Sequence, residues 1–408
     1  MKARNIGAII ITLGLLAVSC SQDAIFDKIS NETKPLKPRL EGGPSNMVVF
    51  QRGSVPIMLV ASGKLHWYAK AQWDSSEYGI PQPWGKISAL AVAGECLYAL
   101  GWDSQGVTML LQYIKSDGYT WIPFSFGVIN ANPSLTTAIQ SIYADPSQNW
   151  LFAGVSRSTG TGRTYDIQYW NHTTPKQGLL KERTGELTGV VFKEGYYYLC
   201  TNGYGIYRVS ETDLENDTIN ETTVIQLDDI SAIPNRMFTS MIKLDDKNET
   251  IIAVERGKRE EDAAKGKLYK VNETGFEPMQ YSIGGEVSIG YYSTGALALW
   301  ENNGLKLLIA GIQDELYYTS HTYGYVEFRL EDNDSYDISA RYLPGNLLSI
   351  IDANHGQYTG SLGKYSVNHL FQAPKEIDPN MTFFASTQTQ GLWSYRVRNG
   401  IWQWNAEE

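Results

Sequence analysis

The sequence predicts an all-β fold, a seven-bladed β-propeller of four-stranded antiparallel blades, and three observations lead to it. One pattern of strands recurs seven times along the chain. No amphipathic stretch with a helical period competes with this pattern. The 408 residues include 38 Gly, 26 Tyr and 11 Trp, while only 19% are charged. That composition is typical of short strands joined by tight turns.

The centre of each repeat is a pair of strands. An apolar run ends in a small residue, a glycine follows after a variable gap, and a run rich in Tyr or Trp comes next. The small residues predicted to align are Ala61, Ala99, Ala153, Cys200, Ala253, Ala310 and Ala385. The second runs begin at Gly63, Gly106, Gly162, Gly205, Gly266, Gly324 and Gly391.

Two further strands complete most repeats. An earlier strand is predicted before each pair, at residues 47–50, 87–93, 138–144, 187–192, 238–244, 295–300 and 367–372. A fourth strand follows in most repeats, as at residues 119–124, 279–283 and 401–404. Asp117-Gly118 and Asn399-Gly400 stand between third and fourth strands, and these dipeptides are strong hairpin-turn sequences.

The repeat favours a propeller for a physical reason. A four-stranded sheet with two apolar faces cannot stand alone, whereas sheets arranged in a ring bury both faces against their neighbours. We expect the second strand to lie near the centre, where a small residue lets adjacent sheets approach. The alternative is a β-sandwich with an appended domain, but that architecture does not account for seven aligned small residues.

Two segments also resemble the repeats of propellers of the two-component-regulator type, namely Thr201–Tyr207 and Thr387–Trp393. The resemblance covers two of the seven blades. It therefore bears on the fold more than on any function.

The N-terminus has the layout of an export signal. Lys2 and Arg4 precede an apolar stretch, Ile6–Val18, that is too short to span a bilayer comfortably as a helix. The stretch ends in Ala17-Val18-Ser19-Cys20, which resembles the lipobox of bacterial lipoproteins, with Ala17 where that family usually has Leu. The resemblance implies that residues 1–19 are a signal peptide and that Cys20 is lipidated. The alternative is an ordinary cleavage site beside an incidental cysteine.

Residues 20–44 are polar and without period, so we expect a flexible tether after the lipidated cysteine and the propeller at 45–408. Ser21, rather than Asp, follows Cys20, and by resemblance to known sorting rules this favours the outer membrane. Asp217-Thr218-Ile219 resembles the O-glycosylation motif of exported Bacteroidetes proteins. The chain thus resembles a Bacteroidetes-type outer-membrane lipoprotein, anchored by lipid alone on the periplasmic or the cell-surface side.

Charge and residue spacing exclude several functions. A formal net charge of −10 repels phosphate backbones, so no nucleic-acid partner is expected. The histidines stand apart at 66, 172, 321, 355 and 369, and no C-x-x-C pair exists. We therefore expect no metal, no cofactor and no catalytic residue that a motif identifies. Cys96 and Cys200 are predicted on non-adjacent blades, too far apart for a disulfide.

The ligand site is predicted at the axial mouth of one face. The links from second to third strands vary from Ser62 alone to residues 254–265 and 311–323. They share a face with the connections between blades, including residues 343–364, and long loops on a rigid scaffold are where binding sites are usually built. The predicted site residues are Trp102, Asp103, Arg157, Asn202, Tyr204, Arg256, Gln313, Asp314, Gln388 and Gln390 from second-strand ends, with Trp84 and His355 from connections between blades.

These residue types suit carbohydrate, because flat rings stack on sugar faces and polar tips bond hydroxyl groups. We therefore expect an envelope-anchored binding protein for a glycan or a peptide. One alternative is a scaffold that contacts another envelope protein. The other is a carbohydrate-active hydrolase or lyase, which needs two carboxylates near the axis, with Asp103, Glu255 and Asp314 as candidates.

Overall fold

A computed structural model of the chain provides the structure. It describes Leu40 and residues 42–69, 72–75, 86–103, 108–116, 118–124, 137–159, 162–171, 173, 176–180, 185–219, 223–227, 236–244, 249–256, 266–282, 284–290, 292–302, 304–315, 324–331, 338–342, 362, 365–398 and 401–407.

The described residues form seven antiparallel sheets of four consecutive strands each, here numbered 1 to 7 in chain order. Sheet 1 contains β1 (Val48–Arg52), β2 (Val55–Ser62), β3 (Lys64–Ala69) and β4 (Gln72–Asp74). Sheet 2 contains β5 (Lys86–Ala93), β6 (Cys96–Trp102), β7 (Thr108–Ser116) and β8 (Gly118–Phe124). Sheet 3 contains β9 (Thr137–Ala144), β10 (Trp150–Thr159), β11 (Gly162–Asn171) and β12 (Lys176–Leu180), and sheet 4 contains β13 (Glu186–Lys193), β14 (Tyr196–Asn202), β15 (Gly205–Ser210) and β16 (Ile225–Gln226). Sheet 5 contains β17 (Phe238–Lys243), β18 (Ile251–Glu255), β19 (Gly266–Val271) and β20 (Phe276–Pro278), and β21 (Ser288–Gly290) also pairs with β19. Sheet 6 contains β22 (Tyr292–Asn302), β23 (Leu305–Glu315), β24 (Gly324–Leu330) and β25 (Ile338–Tyr342). Sheet 7 contains β26 (Val367–Gln372), β27 (Phe383–Thr387), β28 (Leu392–Arg398) and β29 (Ile401–Ala406).

The apolar core is divided into seven clusters, and each cluster fills the space between two neighbouring sheets. One example joins Phe50 and Leu59 of sheet 1 to Leu97 and Tyr113 of sheet 2. The last cluster joins sheet 7 back to sheet 1 through Phe384 and Met58. Because every sheet is buried on both faces and the ring closes on itself, the fold is the predicted seven-bladed β-propeller.

The position of the second strand differs from the prediction. Within each sheet the strands follow chain order from one edge to the other. The first strands of sheets 2 to 7 line one central cavity, and Asn46 and Met47, directly before the first strand of sheet 1, complete its lining. The first strand is therefore nearest the axis and the second lies one place outward. A sheet radiating from an axis must have an edge strand innermost, and the first strand of the repeat fills that place.

One of the predicted fourth strands is misplaced. Residues 279–283 were expected to form it in sheet 5, whereas β20 covers Phe276–Pro278. Met279 instead bonds to Leu268 through its N–H, just beyond the strand. Ser116 pairs with Gly118 as the predicted hairpin requires, while Asp117 and Asn399-Gly400 lie outside the described residues.

Sheets 1 and 7 meet at a seam that is closed by side chains. Each of these sheets consists of strands contiguous in the chain. The Tyr68 hydroxyl donates to Asp378 over 3.0 Å, and the Trp73 indole N–H donates to Glu407 over 3.0 Å. The first and last sheets are thus joined across the seam by two buried carboxylates.

A short N-terminal stretch also crosses this seam. Leu40 is fully buried, and its carbonyl accepts from the N–H of Leu392 over 3.2 Å. The Gly42 carbonyl accepts from Gly391, and that of Pro44 accepts from the Ser386 hydroxyl over 2.6 Å. The described structure therefore begins before residue 45. The boundaries 1–19, 20–44 and 45–408 stay predictions.

Helix α1 (Glu211–Asn216) follows the third strand of sheet 4. The Ser210 side chain caps its N-terminus by accepting from the N–H of Thr212 over 3.2 Å, and Asp217 ends it in the left-handed region at φ 56°. Leu214 is its buried residue and packs into the cluster between sheets 3 and 4. In the part of the chain that the structure describes, no helix has the length and apolar character needed to cross a membrane.

The two described cysteines are unbonded, as predicted. Cys96 lies on sheet 2 and is half-buried, whereas Cys200 lies on sheet 4 and is fully buried. Burial raises the pKa of the Cys200 thiol to about 12, so it remains a thiol near neutral pH and serves as a small apolar side chain.

Candidate functional site

A polar cavity of about 450 Å3 occupies the centre of the ring. Most of its lining comes from the first strands, and the rest comes from the ends of second strands and from residues beside them. The polar and charged side chains among the lining residues are Asn46, Ser88, Gln140, Ser141, Tyr143, Glu186, Thr188, Asn202, Thr239, Ser240, Arg256, Gln313, Asn368 and His369.

A β-bulge in the first strand places many of these side chains. In sheets 2 to 7 the register between first and second strands shifts, so that one residue of the first strand has no partner opposite. A bulge redirects the side chain of that extra residue. The extra residues are Ser88, Gln140, Thr188, Thr239, Gly295 and Asn368, and all six line the cavity.

Asn46 has the corresponding place in sheet 1. The N–H of Ser45 donates to the carbonyl of Ala61 over 2.8 Å. In the register that pairs Val48 with Leu59, Ser45 would instead face Ser62, so the register shifts by one residue between Ser45 and Val48. Asn46 is the residue left over, and it too lines the cavity. The inner end of every sheet therefore carries the same local irregularity.

The same register corrects the predicted alignment of small residues. Five alanines occupy one structural position on the second strand. In each of these sheets, the residue after the alanine pairs with the first-strand residue that follows the bulge. The alanines are Ala99, Ala153, Ala253, Ala310 and Ala385. Leu199 holds that position in sheet 4, so Cys200 lies one residue further along. Ala61 of sheet 1 also lies further along its strand, opposite Ser45.

Polar groups around the cavity also join neighbouring sheets. The Asn46 amide donates to the Leu90 carbonyl over 2.8 Å and accepts from the Leu90 N–H over 2.7 Å. The Thr188 hydroxyl lies 2.9 Å from the carbonyl of Phe238 on the next sheet. The Gln313 amide donates to Asn368 over 3.2 Å. These groups are thereby held in fixed orientations around the cavity.

Three of the predicted site residues line the cavity: Asn202, Arg256 and Gln313. All three lie at or just beyond the ends of second strands. Because neighbouring strands are antiparallel, these ends lie beside the starts of the first strands, where the chain enters each sheet. The predicted face is therefore the one on which these three residues meet the cavity.

Two of them are neighbours across the junction of sheets 4 and 5. Asn202 pairs with Glu186 within sheet 4 and forms a bridge to Met237 at the start of sheet 5. The N–H of Arg256 donates to the Met237 carbonyl over 2.7 Å. Glu186, Asn202 and Arg256 therefore enter the cavity lining from the two sides of one junction.

Tyr204 adjoins this junction without lining the cavity. Its side chain is 40% exposed, and its ring lies close to Gly185, the residue before Glu186. A Cβ at position 185 would lie only 3.1 Å from Cδ2 of the Tyr204 ring. The Tyr204 carbonyl accepts from the Gln226 amide over 2.7 Å, which fixes the turn that carries the ring.

Other predicted residues lie off the cavity. The Trp102 indole N–H donates to the Ser88 hydroxyl over 2.7 Å, so Trp102 contacts the lining from outside. Arg157 forms an ion pair with Asp166 on the next strand, with Nε and Oδ2 2.7 Å apart. Asp103 is half-buried just past β6. The remaining two are exposed on the turn between β27 and β28, and they are Gln388 and Gln390.

Three predicted positions lie wholly or partly outside the described residues. Trp84 and His355 lie outside the described residues. Asp314 belongs to β23, where its backbone pairs with Ser293, but its side chain lies outside the described part.

Sequence reasoning missed the contribution of the first strands, notably Glu186, Thr188, Asn368 and His369. A signal was present, because each of these strands carries polar residues inside an otherwise apolar run. Their common location depends on the first strand being innermost, and the sequence pattern does not show which strand that is. Burial lowers the pKa of His369 to about 4, so its imidazole faces the cavity as a neutral group at pH 7.

The described lining has little of what hydrolysis of glycosides requires. Glu186 is the one carboxylate among the described lining residues, whereas hydrolysis of a glycoside uses two carboxylates. The carboxylate of Glu255 instead accepts from the Tyr269 hydroxyl over 2.8 Å. No group of three His, Cys, Asp or Glu side chains suited to a metal ion occurs among the residues described.

Comparisons with known proteins give similar structures but no related family. No protein-family model matches the chain, and no curated protein matches it. Similar solved structures include the computationally designed Ika8 protein, at 10% identity and a TM-score of 0.44, covering 89% of this chain and 98% of that one. The WD40 β-propeller domain of Doa1 has 11% identity and a TM-score of 0.45, with 88% and 94% covered. Saccharomyces cerevisiae Sqt1 has 11% identity and a TM-score of 0.49, with 91% and 88% covered. At these values the assignment of the fold rests on the sheets and clusters of this chain itself.

Proposed function

We propose that this protein is an envelope-anchored binding protein that holds a glycan or a peptide at the mouth of its central cavity. The observation that carries the proposal is the ring of extra residues, one from each sheet, that lines the cavity. A concave site with fixed polar groups on a rigid scaffold is the usual form of a ligand site.

The chemistry of the lining favours binding over turnover. Its described ionisable groups are Tyr143, Glu186, Arg256 and His369, drawn from different sheets and strands. Hydroxyl and amide groups make up most of the remaining polar lining, and they both donate and accept hydrogen bonds. This set suits a ligand rich in hydroxyl or amide groups, as glycans and peptides are.

The binding proposal is tested with the full chain extracted in mild detergent. It is screened against a glycan array and a peptide library, and products are assayed in the same samples. We expect binding without turnover, weakened by Asn202→Ala and by Arg256→Ala. Gln388→Ala is the matched control, because Gln388 is an exposed polar residue of the same face that lies off the cavity.

The alternatives give different results in the same screen. Turnover of a bound glycan would replace the binding proposal with an enzyme. Retention of an envelope protein by the chain, with no glycan or peptide bound, would replace it with a scaffold. Ligand binding that survives both cavity variants would move the site away from the cavity.

The anchoring proposal rests on the lipobox resemblance that ends at Cys20 and on the polar residues that follow it. In the lipoproteins that this motif resembles, the cysteine carries two acyl chains on its thiol side and one on its amine. Three acyl chains exceed the two signals that stable membrane anchoring needs. Bacteria that express the full chain are labelled with a palmitate analogue and fractionated. We expect the label in the protein and the protein in outer-membrane vesicles, and we expect both to be lost in Cys20→Ser. Unlabelled, unanchored wild-type protein would contradict lipidation.

A further inference from the structure

We propose that the junction of sheets 4 and 5 is a subsite for one uncharged sugar ring. The inference rests on the proposed function and assigns it a ligand class and a place. The subsite consists of Glu186, Asn202, Tyr204 and Arg256, which the sheet register and the Met237 contacts bring to one side of the cavity mouth.

Tyr204 supplies the apolar surface that a sugar ring needs. Tyr204 and Ile225 are the exposed large hydrophobic residues of sheet 4, at 40% and 43%. Tyr204 adjoins Gly185 and therefore the start of the first strand, whereas Ile225 lies on the outermost strand. A tyrosine ring presents a flat apolar face with a polar tip. That combination matches a pyranose, whose faces carry C–H groups and whose rim carries hydroxyls.

Asn202 supplies an acceptor that has no donor. Its side-chain oxygen Oδ1 is buried from solvent and accepts no hydrogen bond from the residues described. A buried acceptor left without a donor is unfavourable, and such groups in folded proteins call for a partner. A ligand hydroxyl is a donor of suitable size and also accepts a bond in return.

Glu186 and Arg256 complete a balanced set. Among the described residues neither side chain forms an ion pair, and both line the cavity. The carboxylate only accepts hydrogen bonds and the guanidinium only donates them. Neighbouring sugar hydroxyls offer both functions, while one negative and one positive group leave the subsite without net charge. An anionic sugar would be attracted by Arg256 and repelled by Glu186.

The test measures binding of neutral and acidic glycans and of peptides to the full chain in a polyoxyethylene detergent, which contains no sugar. Ligands found on an array are titrated by calorimetry between about 0.05 and 0.5 M NaCl. We expect a neutral oligosaccharide whose affinity changes little with salt. Tyr204→Ala should weaken it about tenfold, because a lost stacking contact is worth about 1.4 kcal/mol. Tyr204→Phe should keep most of the affinity.

Ile225→Ala is the matched control, because it removes a similarly exposed apolar side chain from the same sheet. Preference for an acidic glycan or a peptide would overturn the inference and leave the proposed function standing. The same holds if Tyr204→Ala binds normally while Asn368→Ala, on sheet 7 of the cavity, loses affinity. If the folded chain binds no glycan and no peptide, the inference and the proposed function fall together.

Discussion

His369 illustrates how single residues serve both the fold and the cavity. It directly follows the bulge residue of sheet 7, pairs with Ser386 of the second strand and still lines the cavity. Asn46 similarly lines the cavity while it bonds to both backbone groups of Leu90. A substitution at the cavity therefore changes stability as well as binding, and the two effects have to be measured separately.

The low pKa of His369 predicts a loss of stability in mild acid. Burial lowers this pKa from 6.5 to about 4 in the folded chain. Between these two values the unfolded chain binds a proton that the folded chain does not. The free energy of unfolding should therefore fall as the pH drops from 6.5 to 4, by on the order of 2 kcal/mol.

Urea unfolding of the wild type and of His369→Gln at several pH values checks this prediction. The variant should depend less on pH in this window than the wild type, with the two curves diverging below pH 6.5. Equal pH dependence of the two proteins would show that the His369 imidazole is protonated in the folded state.

Gly185 is a second residue whose identity the structure requires. Its φ is +61°, and a Cβ there would lie 2.8 Å from the carbonyl oxygen of Asn202. We expect Gly185→Ala to destabilise the fold by about 1–3 kcal/mol, from backbone strain together with the contact. Gly195→Ala is the control, because Gly195 has φ +82° but nothing within 4 Å of the added Cβ.

Thermal unfolding of both glycine variants separates the two causes. The control reports backbone strain alone, and the difference between the variants reports the contact with Asn202. If Gly195→Ala destabilises as much as Gly185→Ala, the close approach at Gly185 contributes nothing measurable.

At the scale of elements, the bulged first strand is the unit that makes the cavity. One extra residue shifts the register and leaves the rest of the strand in its apolar environment. In each of the bulged sheets except sheet 6, where it is Gly295, the extra residue also brings a polar side chain to the cavity. In sheet 4 that residue is Thr188, whose hydroxyl lies 3.1 Å from the Cys200 carbonyl of its own sheet and 2.9 Å from the Phe238 carbonyl of the next.

Replacing Thr188 with valine should weaken the contact between sheets 4 and 5. Valine has the same shape but no hydroxyl, so the free energy of unfolding should fall by about 1 kcal/mol. Urea unfolding provides the measurement. Thr188→Ser is the control and should retain most of the stability because it keeps the hydroxyl. A Thr188→Val variant as stable as the wild type would show that the hydroxyl does not stabilise this contact.

At the scale of the whole molecule, the ring depends on one seam that joins the two ends of the described chain. Glu407 directly follows the last strand of sheet 7. Its carboxylate contacts Ser394, lies 3.2 Å from Arg396 and accepts from the indole of Trp73 on sheet 1. Asp378 makes a second bond across the seam, from Tyr68. Loss of these bonds would make it easier for sheets 1 and 7 to separate, which would expose the apolar cluster between them to water.

Glu407→Ala should therefore lower the free energy of unfolding by about 2 kcal/mol, because it leaves the buried Trp73 N–H without an acceptor. A double-mutant cycle with Trp73→Phe isolates that bond. The two substitutions should be coupled, with the double variant less unstable than the sum of the single ones. Strict additivity would show that Glu407 acts only within sheet 7.

Much of the architecture was predictable because it depends on local patterns. Alternating and apolar runs identify strands such as Ile251–Glu255, and glycine starts strands such as Gly266–Val271. Because the pattern repeats seven times, a closed ring of sheets buries both faces of every sheet. The radial order of strands was predicted wrongly, because period and composition do not distinguish an inner edge strand from its neighbour.

The candidate site was predictable only in part. Asn202 ends a second strand and Arg256 directly follows one, and both line the central cavity. Arg157 has the same kind of position in the chain, yet it pairs with Asp166. Whether a loop cation faces a cavity or a neighbouring carboxylate depends on residues that are close in space, and the sequence pattern does not contain that information.

By itself the sequence determined the number of blades and the strand content, because both follow from residues near one another in the chain. It also predicted that Cys96 and Cys200 are unbonded, because it placed them on non-adjacent blades. The tertiary structure alone decided which strand faces the axis and which polar residues leave the register there. It also decided that Glu407 meets Trp73 across 334 positions of sequence. These features arise when distant strands pack at fixed distances, since a bulge or a buried carboxylate is stabilised by neighbours that local propensity does not specify.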